Sequence, residues 1–334
     1  MPPTLKTISE RVGISQAAVS MILNRRANDL SSEATRQKVF EIARELNYKQ
    51  QFAHKILRGE KTRSVAIVFA MRRLILEEQI QQLVLLLLNK FENAGFTPCL
   101  MNIAGNAEEN LNTIRELCQR GIDHFVSIGC PHGFSEIEKE IIARNRTIVG
   151  YNSLFSRDWS NDTAYAIRTT VAAFLAEGRR NFRVLTGKIP HKSRIQAVHD
   201  VLPELSQDEI IRKYIYCNTE VGEVDDIDEL SAIGYQCTRD ILTEDPGVSA
   251  IIYVSDYHMM GGVRYLYENN FTIGKDVKLC GINDIHAVRN SVFSLNTWRI
   301  NIEKISSILV EECDKEGEIR ALIKPEFHSI NALG

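Results

Sequence analysis

ISQAAVSMILN, residues Ile14 to Asn24, decides how the chain is read. At a helical spacing of about 100° per residue, Val19, Ile22 and Leu23 share one side, and Gln16, Ala17, Ser20 and Met21 share the other. A helix with an apolar back and a front of small or hydrogen-bonding side chains is either more core or a surface offered to a partner. Before it, Leu5, Ile8 and Val12 recur at helical spacing, Gly13 interrupts, and Ser15 is placed to cap the next helix. A third helix is expected from the N-cap Ser32 to about Asn47, burying Val39, Ile42, Ala43 and Leu46. Such a bundle fits a helix-turn-helix, whose second helix lies in the major groove. Gln bonds adenine at two points, and Ala and Met touch a thymine methyl. Ser15, Ser20, Asn24, Ser32 and Thr35 are candidates for phosphate contacts, which fix register without reading sequence. The competing reading of the same pattern is a helical hairpin docked on the rest of the chain.

Charge favours the first reading. The 334 residues carry a net −3, with 44% hydrophobic and 25% charged residues, as in soluble globular proteins. Residues 1 to 63 hold 12 Lys and Arg against 6 Asp and Glu, a net +6, and the remaining 271 hold 28 against 37, a net −9. A basic head on an acidic body points to an anionic partner for the head. The longest strongly apolar run, LVLLLL at Leu83 to Leu88, is far too short to span a bilayer. No signal peptide opens the chain, so a cytoplasmic, nucleoid-associated location is expected, with no membrane partner. The 7 cysteines stand singly, without a CxxC pair, which suits free thiols in a reducing compartment.

Residues 49 to 62, KQQFAHKILRGEKT, are polar and basic and read as a linker able to form a short helix. From Ser64 strands such as SVAIVF, TPCLMNI, HFVSIG and TIVGY alternate with helices, and a second set follows with FRVLTG, KYIYC, AIIYVS and VKLCGIN. That alternation argues for two parallel open sheets with crossover helices, binding ligands at the carboxyl ends of their strands. The segment QIQQLVLLLLNKF is apolar on more than one face, which fits a dimer interface or a wholly internal helix. Signals for chemistry are thin. LTGKIPHKS lacks the first glycine and the Ser or Thr of a phosphate loop, His132 and Glu136 form only one isolated pair, and HExxH and GxSxG are absent. No catalytic residue, metal site or cofactor is expected.

TLKTISERVGISQAAVSMILN, SSEATRQKVFEIARELNY, ILRG, VAIV, VKLCGINDI and LNTWR occur in this order along essentially the whole chain. Together they resemble the lactose-repressor (LacI-type) family of bacterial transcription regulators. The resemblance implies an all-α helix-turn-helix headpiece over 1–48, a hinge helix or linker over 49–62, and a two-lobed α/β core over 63–334 like the periplasmic binding proteins. The expected first lobe is 63–161 with 293–324, and the second is 162–292 with 325–334. It also implies a homodimer on a near-palindromic DNA operator, with a small carbohydrate-like effector between the lobes. By position, Thr4, Lys6, Ser15, Gln16, Ala17, Ser20, Met21 and Asn24 match operator contacts, and Leu57 matches a leucine that wedges into the minor groove. For Leu57 alone, packing on the core is the other reading.

Departures matter. A Thr is usual in the family at Ala18 and an Arg is common at Met21; the loop from Asn24 to Thr35 is longer, and YKQQ stands where YxPN is frequent. These changes bear on which operator is read. The effector contacts fall by position at Ala70, Arg72, Arg73, Asn152, Arg194, Ser255, Tyr257 and Asn283. Acids are common in the family at Asn152 and Asn283, so this pocket has lost negative charge while keeping Arg194, whose planar fork suits vicinal oxygens or a carboxylate. For Arg72 and Arg73, a solvated loop is the competing reading. The expected function is a DNA-binding regulator, most simply a repressor, whose effector is a sugar, sugar acid or sugar phosphate. A cytosolic solute-binding module whose head contacts protein is the alternative from a different class.

Overall fold

The computed structural model describes residues 3–23, 29–46, 48, 61–186, 192–217 and 226–330. The chain divides into two compact units, Met1–Thr62 and Arg63–Gly334. In the first, α1 (Leu5–Val12) opens on a reciprocal cap, in which Thr4 Oγ1 accepts from the Thr7 amide and Thr7 Oγ1 accepts from the Thr4 amide. It closes at Gly13, whose φ of 82° is left-handed and carries the chain into a tight turn. The second helix, α2 (Gln16–Leu23), starts where Ser15 Oγ accepts from the Ala18 amide at 3.1 Å. Ser32 caps α3 (Glu33–Glu45) by accepting from the Thr35 amide at 3.2 Å. The three meet over Ile8, Val19, Ile22, Val39 and Ala43. So few buried side chains, each contributing about 1.5–3 kcal/mol, leave the bundle little margin.

The larger unit holds β1 (Ser64–Phe69), α4 (Glu78–Asn93), β2 (Thr97–Asn102), α5 (Ala107–Gln119), β3 (His124–Ile128), α6 (Phe134–Ala143), β4 (Thr147–Tyr151) and β5 (Arg157–Asn161). It continues through α7 (Thr163–Ala176), β6 (Phe182–Thr186), α8 (Lys192–His199), α9 (Gln207–Tyr214), β7 (Ile215–Cys217), α10 (Ile227–Glu244), β8 (Ala250–Ile252), α11 (Asp256–Glu268) and β9 (Lys278–Ile282). Then come α12 (His286–Arg289), β10 (Leu295–Arg299), α13 (Ile302–Glu312), β11 (Ile319–Ile323) and β12 (Glu326–Ile330). The strands form two six-stranded sheets, ordered β11-β5-β4-β3-β1-β2 and β12-β10-β9-β8-β6-β7. Period-2 alternation sends Val65, Ile67 and Phe69 of β1 to α4 and α13, and Ala66 and Val68 to α5 and α6. Being covered on both faces, β1 reads as an unbroken apolar run.

Three expectations need correction. The first sheet is wholly parallel, but β12 runs antiparallel to β10 in the second, because the chain returns to that lobe from β11 with only Lys324 and Pro325 between the strands. The segment 293–299 was expected in the first lobe, yet β10 pairs with β9 and β12 of the second sheet, and the Trp298 indole donates to Thr170 Oγ1 on α7 at 2.9 Å. The second lobe crossing therefore follows β10. KYIYC also splits, its first two residues ending α9 before β7 begins. The helix α4 buries Leu83, Val84 and Leu87 but leaves Leu85 62% exposed, so one apolar side chain of QIQQLVLLLLNKF is uncovered by this chain. Among the described residues no helix is long and apolar enough to cross a membrane.

Candidate functional sites

In the headpiece, Gln16 and Ala17 are exposed on α2, Met21 is half-buried beside them, and Thr4, Lys6, Ser15 and Ser32 are exposed with Thr35 half-buried. These positions leave α2 an accessible front over the packed back of Val19 and Ile22. Ser20 is a correction: expected outward, it is buried at 9% exposure. The reason is geometric, since about 100° per residue sets it only about 60° from Leu23 and its side chain is too short to stand clear of that flank. Ser15, Ser32 and Thr4 each hold a helix N-terminus, so their hydroxyls have structural work beside any phosphate contact. Asn24 and Leu57 lie outside the described residues. A tie that sequence reading missed joins Asp29 to α3: its carboxylate accepts from the Ser31 amide at 2.9 Å and from Arg36 Nε at 2.7 Å. The bonds from Ser31 and then Arg36 hold the Asp29 carboxyl down to about 2.

The larger unit contains a cleft of about 430 Å³ between its sheets, within the size range of small-ligand sites. Of the expected effector residues, Arg73, Asn152, Arg194, Ser255 and Asn283 line it. Three do not. Ala70 is buried in the wall, its amide donating to the Ile128 carbonyl; Arg72 points to solvent from the single 3₁₀ turn Arg72–Leu76; and Tyr257 uses its hydroxyl to accept from the Glu78 amide at 2.8 Å. Two adjacent arginines on such a turn cannot face the same way, and the turn selects Arg73. Asn152 and Asn283 have φ of 53° and 116°, a region Asn tolerates better than most residues, and Asn152 Oδ1 accepts from the Asn161 amide at 2.8 Å.

The cleft also collects residues that sequence reading did not single out. Glu77 is buried, one carboxylate oxygen meeting Arg73 Nη1 at 2.7 Å and the other accepting from Gln79 Nε2 at 2.6 Å. Burial pushes its carboxyl up against the pull of Arg73. Gln79 Oε1 is buried with no hydrogen-bond partner. His258, on the first turn of α11, likewise has a buried Nδ1 without a partner; burial, with Arg73 and Arg194 nearby, pushes the imidazole down to about 4, so it is neutral at pH 7. Its seat depends on two glycines. A Cβ at Gly234 would collide with the His258 backbone and one at Gly261 with the Ser231 backbone, so only glycine lets α10 and α11 come this close. Arg194, near the start of α8, has no carboxylate partner among the described residues, and burial lowers its guanidinium to about 10. Tyr151 and Asn161 complete the polar wall, the Tyr151 hydroxyl accepting from Asn161 Nδ2 at 2.7 Å.

A second cavity, about 610 Å³, lies between α7 and strands β9, β10 and β12. Its walls include Phe174, Trp298 and Phe327, and its one ion pair, Lys278 with Glu177 at 2.6 Å, satisfies itself. The smaller cleft, not this cavity, holds the convergent unsatisfied groups of a polar-ligand site.

Residues 4–51 match the family described as bacterial regulatory proteins, lacI family, and residues 171–320 match the periplasmic binding protein-like domain. The HTH-type transcriptional repressor PurR of Pasteurella multocida is 18% identical over 342 residues, covering 96% of this chain and 95% of that protein. The HTH-type transcriptional regulator AscG of Escherichia coli is 22% identical, covering 92% of this chain and 90% of that protein. A lac repressor dimer bound to operator and the anti-inducer ONPF shares the fold over 100% of both chains, with a TM-score of 0.76 at 16% identity. With a lacI headpiece at its start and a periplasmic binding protein-like body behind it, the chain belongs to the LacI family of bacterial transcription regulators.

Proposed function

We propose that the chain is a dimeric transcriptional repressor in the bacterial cytoplasm, binding a near-palindromic operator through α2, with its operator affinity set by a small sugar-like effector in the cleft. One observation carries this reading. The same chain presents an accessible reading face, Gln16 and Ala17 with Met21, and a polar cleft with buried unsatisfied groups. A solute-binding module has no use for the first, and an unregulated DNA-binding protein has none for the second. Relatives named as repressors, and a lac repressor structure that holds operator and anti-inducer in a dimer, support assigning the two features to operator and effector. Leu85 on α4 fits a subunit interface. The cleft groups are suited to binding rather than turnover.

The test is a selection of bound duplexes from a randomised pool, followed by a salt titration on the winning sequence. Enrichment of a two-fold symmetric site whose affinity falls steeply with salt is expected, because phosphate contacts release counterions. Absence of salt-dependent DNA binding rejects the regulator reading and leaves the solute-binding module.

A further inference from the structure

Among the described residues, the charged side chains lining the cleft are Arg73, Glu77 and Arg194. Arg73 and Glu77 neutralise one another at 2.7 Å, the second oxygen of Glu77 accepts from Gln79, and no carboxylate of the described residues pairs with Arg194. One positive charge is therefore left over among them, on a side chain whose burial disfavours the charged form. Two further atoms there, His258 Nδ1 and Gln79 Oε1, are buried and unsatisfied. Buried polar atoms in folded proteins nearly always have partners, so an orphan pair on facing elements of one cleft marks the place of a missing one.

We propose that the effector is an oxyanion on a polyhydroxylated carbon frame, its anionic group placed on Arg194 beside His258 and a hydroxyl donating to Gln79 Oε1. The proposal rests on the reading of the cleft as the effector site and names the ligand class. Each group fits its partner. A guanidinium offers paired donors to a planar oxyanion, and a monoanion balances the charge left over on the described lining. His258, within electrostatic reach of Arg73 and Arg194, is an uncharged ring, able to donate to an anion or accept from a hydroxyl without adding charge. Gln79 Oε1 can only accept, and in a site already carrying excess positive charge a neutral hydroxyl is the fitting donor. Carboxylate and phosphate share this chemistry.

The experiment is calorimetric titration of the full chain with gluconate, glucuronate, glucose 6-phosphate and glucose, against chloride at matched ionic strength. The expected result is binding of at least one anionic probe, more tightly than glucose. Arg194→Met should weaken that binding by at least about 30-fold, the low end for removing one partner of a buried charged pair. Arg194→Lys, which keeps the charge and loses the fork, should fall in between and guards against a folding defect in the first variant. The gluconate and glucuronate titrations separate a carboxylate from the phosphate arm. Glucose binding more tightly than all three anions, anion affinity unchanged in both Arg194 variants, or no anion binding beyond the chloride control overturns the proposal. Failure of the effector role is a separate result: an anion bound through Arg194 that leaves operator affinity unchanged keeps the ligand class and removes the role. A neutral sugar that shifts operator affinity keeps the role and removes the ligand class.

Discussion

Asp256 and His258 sit two residues apart on α11 and titrate in opposite senses. The Asp256 carboxyl accepts from Thr297 Oγ1 at 2.9 Å and from the Ile285 amide at 3.1 Å, yet complete burial, reinforced by the charge of Asp284, pushes it up to about 7 from 3.8. An acid so raised holds, in the folded state, a proton that the unfolded chain has released. Its contribution to stability is full below pH 3.8 and is lost as pH rises through about 7. His258, lowered to about 4 from 6.5, contributes stability that is full above pH 6.5 and is lost as pH falls through about 4. In the shared window the slopes oppose, each at most about 1.4 kcal/mol per pH unit. Asp256→Asn should therefore make stability rise more steeply with pH between about 4 and 6.5 than in the wild type, and His258→Gln should make it fall, in denaturant midpoints taken across that range. The slope, not the absolute midpoint, is the readout, since either variant also disturbs packing. A second prediction belongs to α2. Met21→Arg places a two-pronged donor beside Gln16 and Ala17, so selection from a randomised pool should shift toward guanine at the base pair it faces, by about 1–3 kcal/mol of discrimination.

At the scale of elements, the start of α4 divides its labour among three consecutive residues. Glu77 and Gln79 line the cleft, while Glu78 reaches the other lobe: its carboxylate accepts from Arg289 Nη2 at 2.5 Å and from the His286 amide at 2.7 Å, and its own amide donates to Tyr257 Oη at 2.8 Å. This grip joins α4 of the first lobe to α11 and α12 of the second beside the cleft. Because the pair is about a third exposed, solvent screens it, and the Glu78–Arg289 coupling in a double-mutant cycle of Glu78→Gln and Arg289→Met should be no more than about 1 kcal/mol. Loosening the grip favours open lobes, so each single variant should bind the effector up to about 5-fold more weakly. Equal affinity in all three variants would show that the grip is indifferent to closure. The sequence makes the strands of the two sheet interiors plain, because β1, β3 and β4 of the first sheet and β8 of the second are buried on both faces. It hides β11 and β12, edge strands whose exposed residues break the alternation, and β10, which interleaves Asn and Thr with Leu and Trp. Position alone brought Tyr257 into the expected pocket, since periodicity reports which face of a helix is covered but not which lobe covers it. His258 and Gln79 carried no signal for the same reason: their importance is an absence of partners, which exists only once the walls are assembled.

The whole molecule separates its two kinds of recognition by charge, a net +6 over residues 1–63 against −9 over the rest. Part of the positive charge is spent within the head, where Arg36 pairs with Asp29 at 2.7 Å, while the exposed pairs Lys6–Glu10 at 3.9 Å and Arg11–Glu45 at 3.6 Å are weak enough to yield to phosphate. The acidic body repels DNA, so backbone affinity must come from the heads, and it should carry the salt signature of counterion release: about 10³- to 10⁵-fold between 50 and 200 mM salt if the dimer makes six to ten phosphate contacts. Effector coupling has a different origin. It is the difference in effector affinity between two arrangements of the lobes, typically about 1–3 kcal/mol, and it releases no counterions from DNA. Plots of log operator affinity against log salt, with and without saturating effector, should accordingly be parallel lines offset by about 5- to 150-fold, and operator should shift effector affinity by the same factor. Lines of different slope would mean instead that the effector changes how many phosphates the heads contact, placing its action on head docking rather than on the balance between two lobe arrangements.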